Sequence, residues 1–247
     1  MILYYPVYDR EKKETVSREL DIIVTKNTVI TSHFQNILPL QRLFTSCKVN
    51  PKLRKFYLEK GAGHLLFHIL DIFWRYCLIK LERIEKSVDR IEREIFQEKE
   101  KEMVREISYV KTDIISFWRI IEPQREILQS LLKEGGSFFG KELIPYFSDL
   151  FGTFRKVWNT LRTQKETILA LEDTNQSLLS NKINEIIRIL SVFSVIMLPL
   201  TLLSSIWGMN LLGLPFSSHR LGFWIVLFFM TLIMSSMVFY FRKKRWL

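Results

Sequence analysis

Residues 189–241 read ILSVFSVIMLPLTLLSSIWGMNLLGLPFSSHRLGFWIVLFFMTLIMSSMVFYF, and Arg220 is the only Asp, Glu, Lys or Arg among them. At 1.5 Å rise per residue, Ile189 to Ile206 covers about 27 Å and Leu221 to Phe241 about 31 Å, each enough to cross a hydrocarbon core of roughly 30 Å. Leu, Ile, Val and Phe at the central positions are the residues that membrane insertion favours. Two membrane helices at the C-terminal end follow, with a chain of different character before them.

All 26 acidic residues precede residue 188, and Arg242, Lys243, Lys244 and Arg245 follow the second run directly. A basic cluster beside a span is a positive-inside anchor. It places the C-terminus in the cytoplasm and, with two spans, the N-terminus as well. Met1 to Arg10 has no apolar core of signal-peptide length, so the expected location is the cell (inner) membrane, multi-pass, with both termini cytoplasmic. The 36 Lys+Arg of the chain do not form a nucleic-acid surface, because those before residue 188 are interspersed with acids. No nucleic-acid partner is expected; the partner is a lipid bilayer. The content of 13% aromatic residues and 9 glycines excludes a disordered or collagen-like chain. Cys47 and Cys77 are the only cysteines, which suits reduced thiols.

Working back toward the N-terminus, Val16 to Phe34 alternates β-branched and polar residues around Lys26-Asn27, a hairpin signal, and Ile2 to Tyr5 supplies a third short strand. From Leu65 the pattern is helical. Leu81, Ile84, Val88, Ile91 and Ile95 recur at 3-4 spacing, Gln97 to Glu102 is a charged break, and Val104 to Leu132 resumes the pattern. This predicts a long antiparallel helical hairpin ended by Gly135-Gly136, with Pro145 opening the next helix. That helix has no proline before Pro199. Phe147, Phe151, Phe154, Trp158, Leu161, Ile168, Leu171 and Leu178 form a stripe along it, so Tyr146 to Leu198 forms a rod of about 80 Å running into the bilayer. The stripe is too long for one hairpin to cover, which predicts self-association.

The first span carries an unexpected face. Asn184, Ile187, Ser191, Ser194, Leu198, Thr201 and Ser205 are spaced 3 or 4 apart, and five of the seven are small and polar. Lipid gains nothing from hydroxyls and amides; a tight helix interface or a water-filled lumen accepts them. The stripe alone leaves those two readings equal. Ile189, Val192, Phe193, Val195, Ile196, Leu200, Leu202 and Leu203 on the other faces suit lipid.

The span ends in Gly208-Met209-Asn210, preceded by Leu198-Pro199-Leu200-Thr201 and, before the membrane, by Ser180-Asn181-Lys182-Ile183-Asn184-Glu185. With the basic tail ending in Trp246-Leu247, these motifs resemble in order and spacing the CorA family of magnesium channels, whose signature is Gly-Met-Asn at the outer end of the first of two spans. The resemblance implies a mainly α membrane protein. Its parts are a truncated cytosolic α/β domain (1–64), a cytosolic helical hairpin (65–136), a stalk helix (137–188) continuous with the first span (189–210), an external loop (211–220), a second span (221–241) and a basic cytosolic tail (242–247). It also implies a funnel-shaped homopentamer.

For function, the resemblance implies a selectivity filter of Gly208, Met209 and Asn210 and a pore lined by Asn184, Ile187, Leu190, Ser191, Ser194, Leu198, Thr201 and Ser205. Ile187, Leu190 and Leu198 would be its apolar constrictions. Mg²⁺ parts reluctantly with its water, so a ring of amide oxygens that accepts hydrogen bonds from the hydrated ion is a suitable filter. Gly208 is expected to allow the turn that aims Asn210 at the axis. Asp149 matches a stalk carboxylate that holds regulatory Mg²⁺, yet its partner falls in a segment this chain lacks, so it is a half-site or a solvated carboxylate. The family's acidic external loop is also absent: residues 211–220 contain no acid, which opens the alternative of a Zn²⁺, Co²⁺ or Ni²⁺ transporter. A non-conducting two-span coiled-coil scaffold is the rival from another class. His64 and His68 have no third ligand beyond Asp71, Gly61-Ala62-Gly63 lacks a dinucleotide fingerprint, and no nucleophile motif is present; no enzyme is expected.

Overall fold

The computed structural model describes residues 1–9, 11, 13–97, 99–209 and 221–246. These divide into two compact units, Met1–Gln176 and Ser177–Leu247.

The first unit opens with three strands, β1 (Ile2–Asp9), β2 (Glu14–Val24) and β3 (Val29–Ser32), antiparallel in the order β1-β2-β3. The turn between β2 and β3 falls on Thr25 to Thr28, where the Thr25 N–H donates to the Thr28 carbonyl at 2.9 Å. Register sets the inward face: Leu3 lies opposite Leu20 and Ile22 opposite Thr31, and Leu3, Tyr5, Leu20 and Ile22 are buried. Two short helices, α1 (Leu38–Val49) and α2 (Pro51–Leu58), follow, the second capped by the Asn50 side chain, which accepts from the Lys52 and Leu53 N–H groups.

The hairpin is α3 (Ala62–Ile95) and α4 (Glu100–Ile121). Leu81, Ile84, Val88, Ile91 and Ile95 are all buried, as their 3-4 spacing requires of an amphipathic face. Tyr5 reaches from the sheet to Phe73 in an edge-on contact at 4.4 Å. The Asp113 carboxylate accepts from the Thr15 hydroxyl at 2.6 Å and from Arg83 at 2.7 Å, tying β2, α3 and α4 together. The Arg83 guanidinium lies 3.2 Å from the centre of the Tyr8 ring.

Pro123 then starts α5 (Gln124–Phe139). Gly135 and Gly136 do not end a helix: both lie buried inside α5, which stops at Gly140 with φ 116°. Their lack of a side chain serves packing, since a Cβ on Gly135 would sit 2.6 Å from the Phe147 ring and one on Gly136 2.6 Å from Ile144. A short 3₁₀ turn (Lys141–Leu143) leads into α6 (Ile144–Trp207), with Pro199 inside it.

The expectation that one chain cannot cover the stalk stripe is corrected here. Phe147, Leu150, Phe154, Val157, Leu161, Gln164, Ile168, Leu171 and Asn175 form an unbroken 3-4 seam, and all are buried within the chain. The hairpin does this because α3 and α4 together present a groove. Phe154 packs on Trp74 of α3 at 5.3 Å and Trp158 on Trp118 of α4 at 3.9 Å. Lys111 of α4 bridges Glu172 at 2.7 Å, and Asn175 donates to the Glu100 carbonyl at 3.0 Å.

In the second unit, α6 pairs with α7 (Gly222–Lys243). Val192, Ile196 and Phe241 are its buried cluster, with Leu200, Met237 and Val238 packed on it.

Candidate ion pathway

Three described helices are long and apolar enough to cross a membrane: Ala62–Ile95, the one ending at Trp207, and Gly222–Lys243. The apolar window of the first is 44% buried against its own unit, whereas those of α6 and α7 are 11% and 6% buried. The apolar surface of α3 is therefore spent on a protein core. That of α6 and α7 is left mostly uncovered by the described residues and needs lipid or further protein.

The two sides of α6 in this region differ. Val192, Ile196 and Leu200, four residues apart, lie beneath α7. At 100° per residue that face is centred roughly 180° from the one carrying Asn184, Ile187, Leu190, Ser191, Ser194, Leu198, Thr201 and Ser205. All eight of those residues are exposed, Leu198 at 67%. Val192 and Ile196, expected to face lipid, are instead the ridge on which α7 rests.

Two hydroxyls of the polar face are already committed as donors. Ser194 donates to the Leu190 carbonyl at 2.9 Å, and Thr201 to the Met197 and Leu198 carbonyls at 3.0 and 2.9 Å. Bonding back to the preceding turn is how a helix satisfies a hydroxyl without water.

At the end of α6 the Gly208 N–H donates to the Ser204 carbonyl at 2.9 Å and the Met209 N–H to the Ile206 carbonyl at 3.3 Å, closing the helix. Gly208 does not use glycine's left-handed freedom; among the described glycines only Gly61 and Gly140 have positive φ. What distinguishes it is close approach, since a Cβ there would lie 3.2 Å from the Ser204 carbonyl oxygen. Asn210 and the loop 211–220 lie outside the described residues. Arg242, Lys243, Lys244 and Arg245 follow at the other end of α7, all but the last two inside its final turn, where cations complement the helix dipole.

Asp149 is exposed on the first turns of α6, and its carbonyl accepts from the Thr153 hydroxyl at 3.1 Å. Among the described residues no three His, Cys, Asp or Glu come together to hold a metal ion. A charged neighbour of Asp149 is the cation Arg75, held above its ordinary range by its hydrogen bond to Asp71 and the charge of Asp71 and, least of all, by Asp149. The described residues of one chain do not assemble a cage for a regulatory cation there. His64 and His68 belong to aromatic packing: His64 sits 5.2 Å from Tyr146 and His68 4.9 Å from Tyr57.

The motifs and this arrangement have counterparts in known proteins. The family model described as CorA-like Mg²⁺ transporter protein matches residues 1–243. The chain belongs to the CorA family. The cobalt/magnesium transport protein CorA of Thermotoga maritima is 30% identical across 100% of this chain and 70% of its own length. The zinc transport protein ZntB of Yersinia pestis is 20% identical over 187 residues, 76% of this chain and 57% of that relative. The complete structure of the CorA magnesium transporter from Methanocaldococcus jannaschii shares the fold with TM-score 0.84 at 24% identity, covering 100% of this chain and 76% of that one. This CorA-family chain is thus a membrane transporter of divalent cations.

The stripe expected from the sequence shares Phe147, Phe154, Leu161, Ile168 and Leu171 with the stalk seam, but has Phe151, Trp158 and Leu178 where the buried residues are Leu150, Val157 and Asn175. A strict 3-4 count admitting Gln164 and Asn175 as seam members would have found it.

Proposed function

We propose that this protein is a homopentameric channel that carries Mg²⁺ into the cytoplasm, with both termini on the cytoplasmic side of the cell (inner) membrane. The observation that carries the reading is the exposed hydroxyl and amide face of α6, set opposite the face that α7 occupies. Five copies of that face around an axis enclose a column of acceptors, while α7 stands outside toward lipid.

At the outer mouth, a ring of Asn210 amides set by Gly208 and Met209 accepts hydrogen bonds from the water shell of the ion. Neutral oxygens recognise the hydrated ion and release it again, where a carboxylate ring would hold it. Ser205, Thr201, Ser194 and Ser191 continue the acceptor column, and Asn184 forms a second polar ring. Ile187, Leu190 and Leu198 narrow the passage, and apolar rings close a pore by dewetting. Mg²⁺ is the cargo. A regulatory Mg²⁺ at Asp149 needs further ligands from a neighbouring copy. The basic residues 242–245 anchor the cytoplasmic end.

Flux into liposomes tests the filter: Asn210→Ala abolishes Mg²⁺ uptake, and uptake that persists at the wild-type rate removes Asn210 from that role. One observation favours a second reading. Residues 211–220 contain no acid to concentrate cations, and the relatives include a zinc transporter. Zn²⁺, Co²⁺ or Ni²⁺ entering without their water would ignore hexaammine-cobalt, a mimic of hydrated Mg²⁺. Block by that complex supports the magnesium reading.

A further inference from the structure

We propose that the end of α7 and the facing turn of α6 form a binding site for the headgroup of an anionic phospholipid, with Arg188 and Arg245 as its principal cations. The inference rests on the chain crossing a membrane and is independent of what the pathway conducts.

The tail of α7 is folded, not frayed. The Trp246 N–H donates to the Phe241 carbonyl at 3.0 Å and the Arg245 N–H to the Arg242 carbonyl at 3.1 Å. The Trp246 ring stacks on Phe241, with centroids 5.9 Å apart and planes at 28°. Two such bonds and an apolar contact across them make a Schellman cap, whose left-handed position is ordinarily glycine. Here that position holds Arg245, at φ 57°. An arginine kept where glycine would sit without strain is a backbone outlier of the kind that accumulates at functional sites.

The cap also sits at a definite place on α6. Phe241 is buried with Val192 and Ile196, and Met237 and Val238 pack beside Leu200, so the two helices run antiparallel. One turn further along each helix brings Arg188 of α6 to the level of Arg245. Arg188 precedes Val192 by one turn, roughly 40° around α6 and so at the flank of the face that α7 covers, and its side chain is 46% exposed. Residues 177–247 contain seven Lys and Arg but one acid, Glu185. That carboxylate approaches Arg188 at 3.9 Å, a loose pairing between exposed groups.

The helix dipole accounts for cations within the last turn of α7. It accounts neither for a cation at this level on a second helix nor for the strained Arg245. An anion with apolar tails accounts for both. A phosphodiester placed among the guanidinium groups gains charge-assisted hydrogen bonds, while the exposed ring of Trp246, backed by Phe241, offers its acyl chains an aromatic wall at interfacial depth. A free phosphate would satisfy the charge but leave that wall unused, so the occupant is lipid. Basic pockets between membrane helices are known headgroup sites.

The test is thermal melting of the full chain in mild detergent, titrated with phosphatidylglycerol and, separately, with phosphatidylcholine or inorganic phosphate. Phosphatidylglycerol raises the melting temperature saturably, and the other two do not. Arg245→Gly keeps the cap, since glycine adopts the left-handed conformation freely, and leaves the lipid-free melting temperature at or above wild type. It raises the half-saturating phosphatidylglycerol concentration about five-fold, the weight of one cation near a membrane surface. Arg188→Gln does the same from the other helix, whereas Lys133→Gln, in the first unit, changes nothing. Wild-type lipid response in both arginine variants overturns the proposal, as does equal stabilisation by phosphatidylcholine or by inorganic phosphate. None of these variants touches Asn210, so a failure here leaves the filter reading standing.

Discussion

Lys80 shows what a half-buried charge does in the first unit. Burial first, and then the nearby Arg83, pull its ammonium down to about 8, although it lies 5.5 Å from the Tyr8 ring centre and 5.6 Å from that of Tyr76. An unfolded lysine titrates near 10.4. Between those values the unfolded chain binds more protons than the folded one, so this group's contribution to stability rises with pH through that window and is lost below it. Cys77 and Tyr5, pushed up by burial, act in the opposite direction at alkaline pH. The contribution of Lys80 is therefore the difference between wild type and Lys80→Met. The variant is expected to be more stable at pH 7, by about 1 kcal/mol after allowance for solvent screening, and the gap closes toward pH 10. Melting curves from pH 7 to 10 check this; a gap that widens with pH would show that Lys80 is protonated and stabilising in the fold.

At the scale of elements, the junction of α5 with α6 is a close crossing. Phe147 is only 1% exposed, so its ring cannot swing aside for a methyl group placed 2.6 Å away on Gly135. Gly135→Ala is expected to destabilise the first unit by about 1–3 kcal/mol, the cost of overpacking a filled core. Gly152→Ala adds a methyl that meets nothing within 4 Å and stabilises by up to about 1 kcal/mol through helix propensity. Calorimetry of the two variants reads both signs. The same elements show where the sequence was legible. Leu81, Ile84, Val88, Ile91 and Ile95 announced their buried face, because period 3.6 with charges between admits one orientation. Gly135-Gly136 misled, because a glycine pair signals a helix end and a close helix crossing in the same letters; only the presence of Phe147 and Ile144 opposite separates the two.

At the scale of the whole molecule, the second unit leaves more apolar surface bare than one chain can solvate. Ile187, Leu190, Leu198, Phe228 and Phe239 are all more than half exposed. Bilayer lipid covers an outward apolar face but gains nothing from the serine and threonine hydroxyls between such residues on α6, so the cover proposed for that face is further copies of the chain. Native mass spectrometry in mild detergent is expected to find five copies, while a dimer or trimer would favour the non-conducting scaffold. The sequence by itself determined the membrane helices, the polar face and the family, because charge-free runs of that length have few homes in water and the face follows from spacing alone. Which side of α6 the second helix occupies, and that α3 and α4 rather than sister chains cover the stalk seam, was decided only by tertiary structure. An amphipathic stripe records that a face must be buried and carries no mark of whether its cover comes from the same chain or from another.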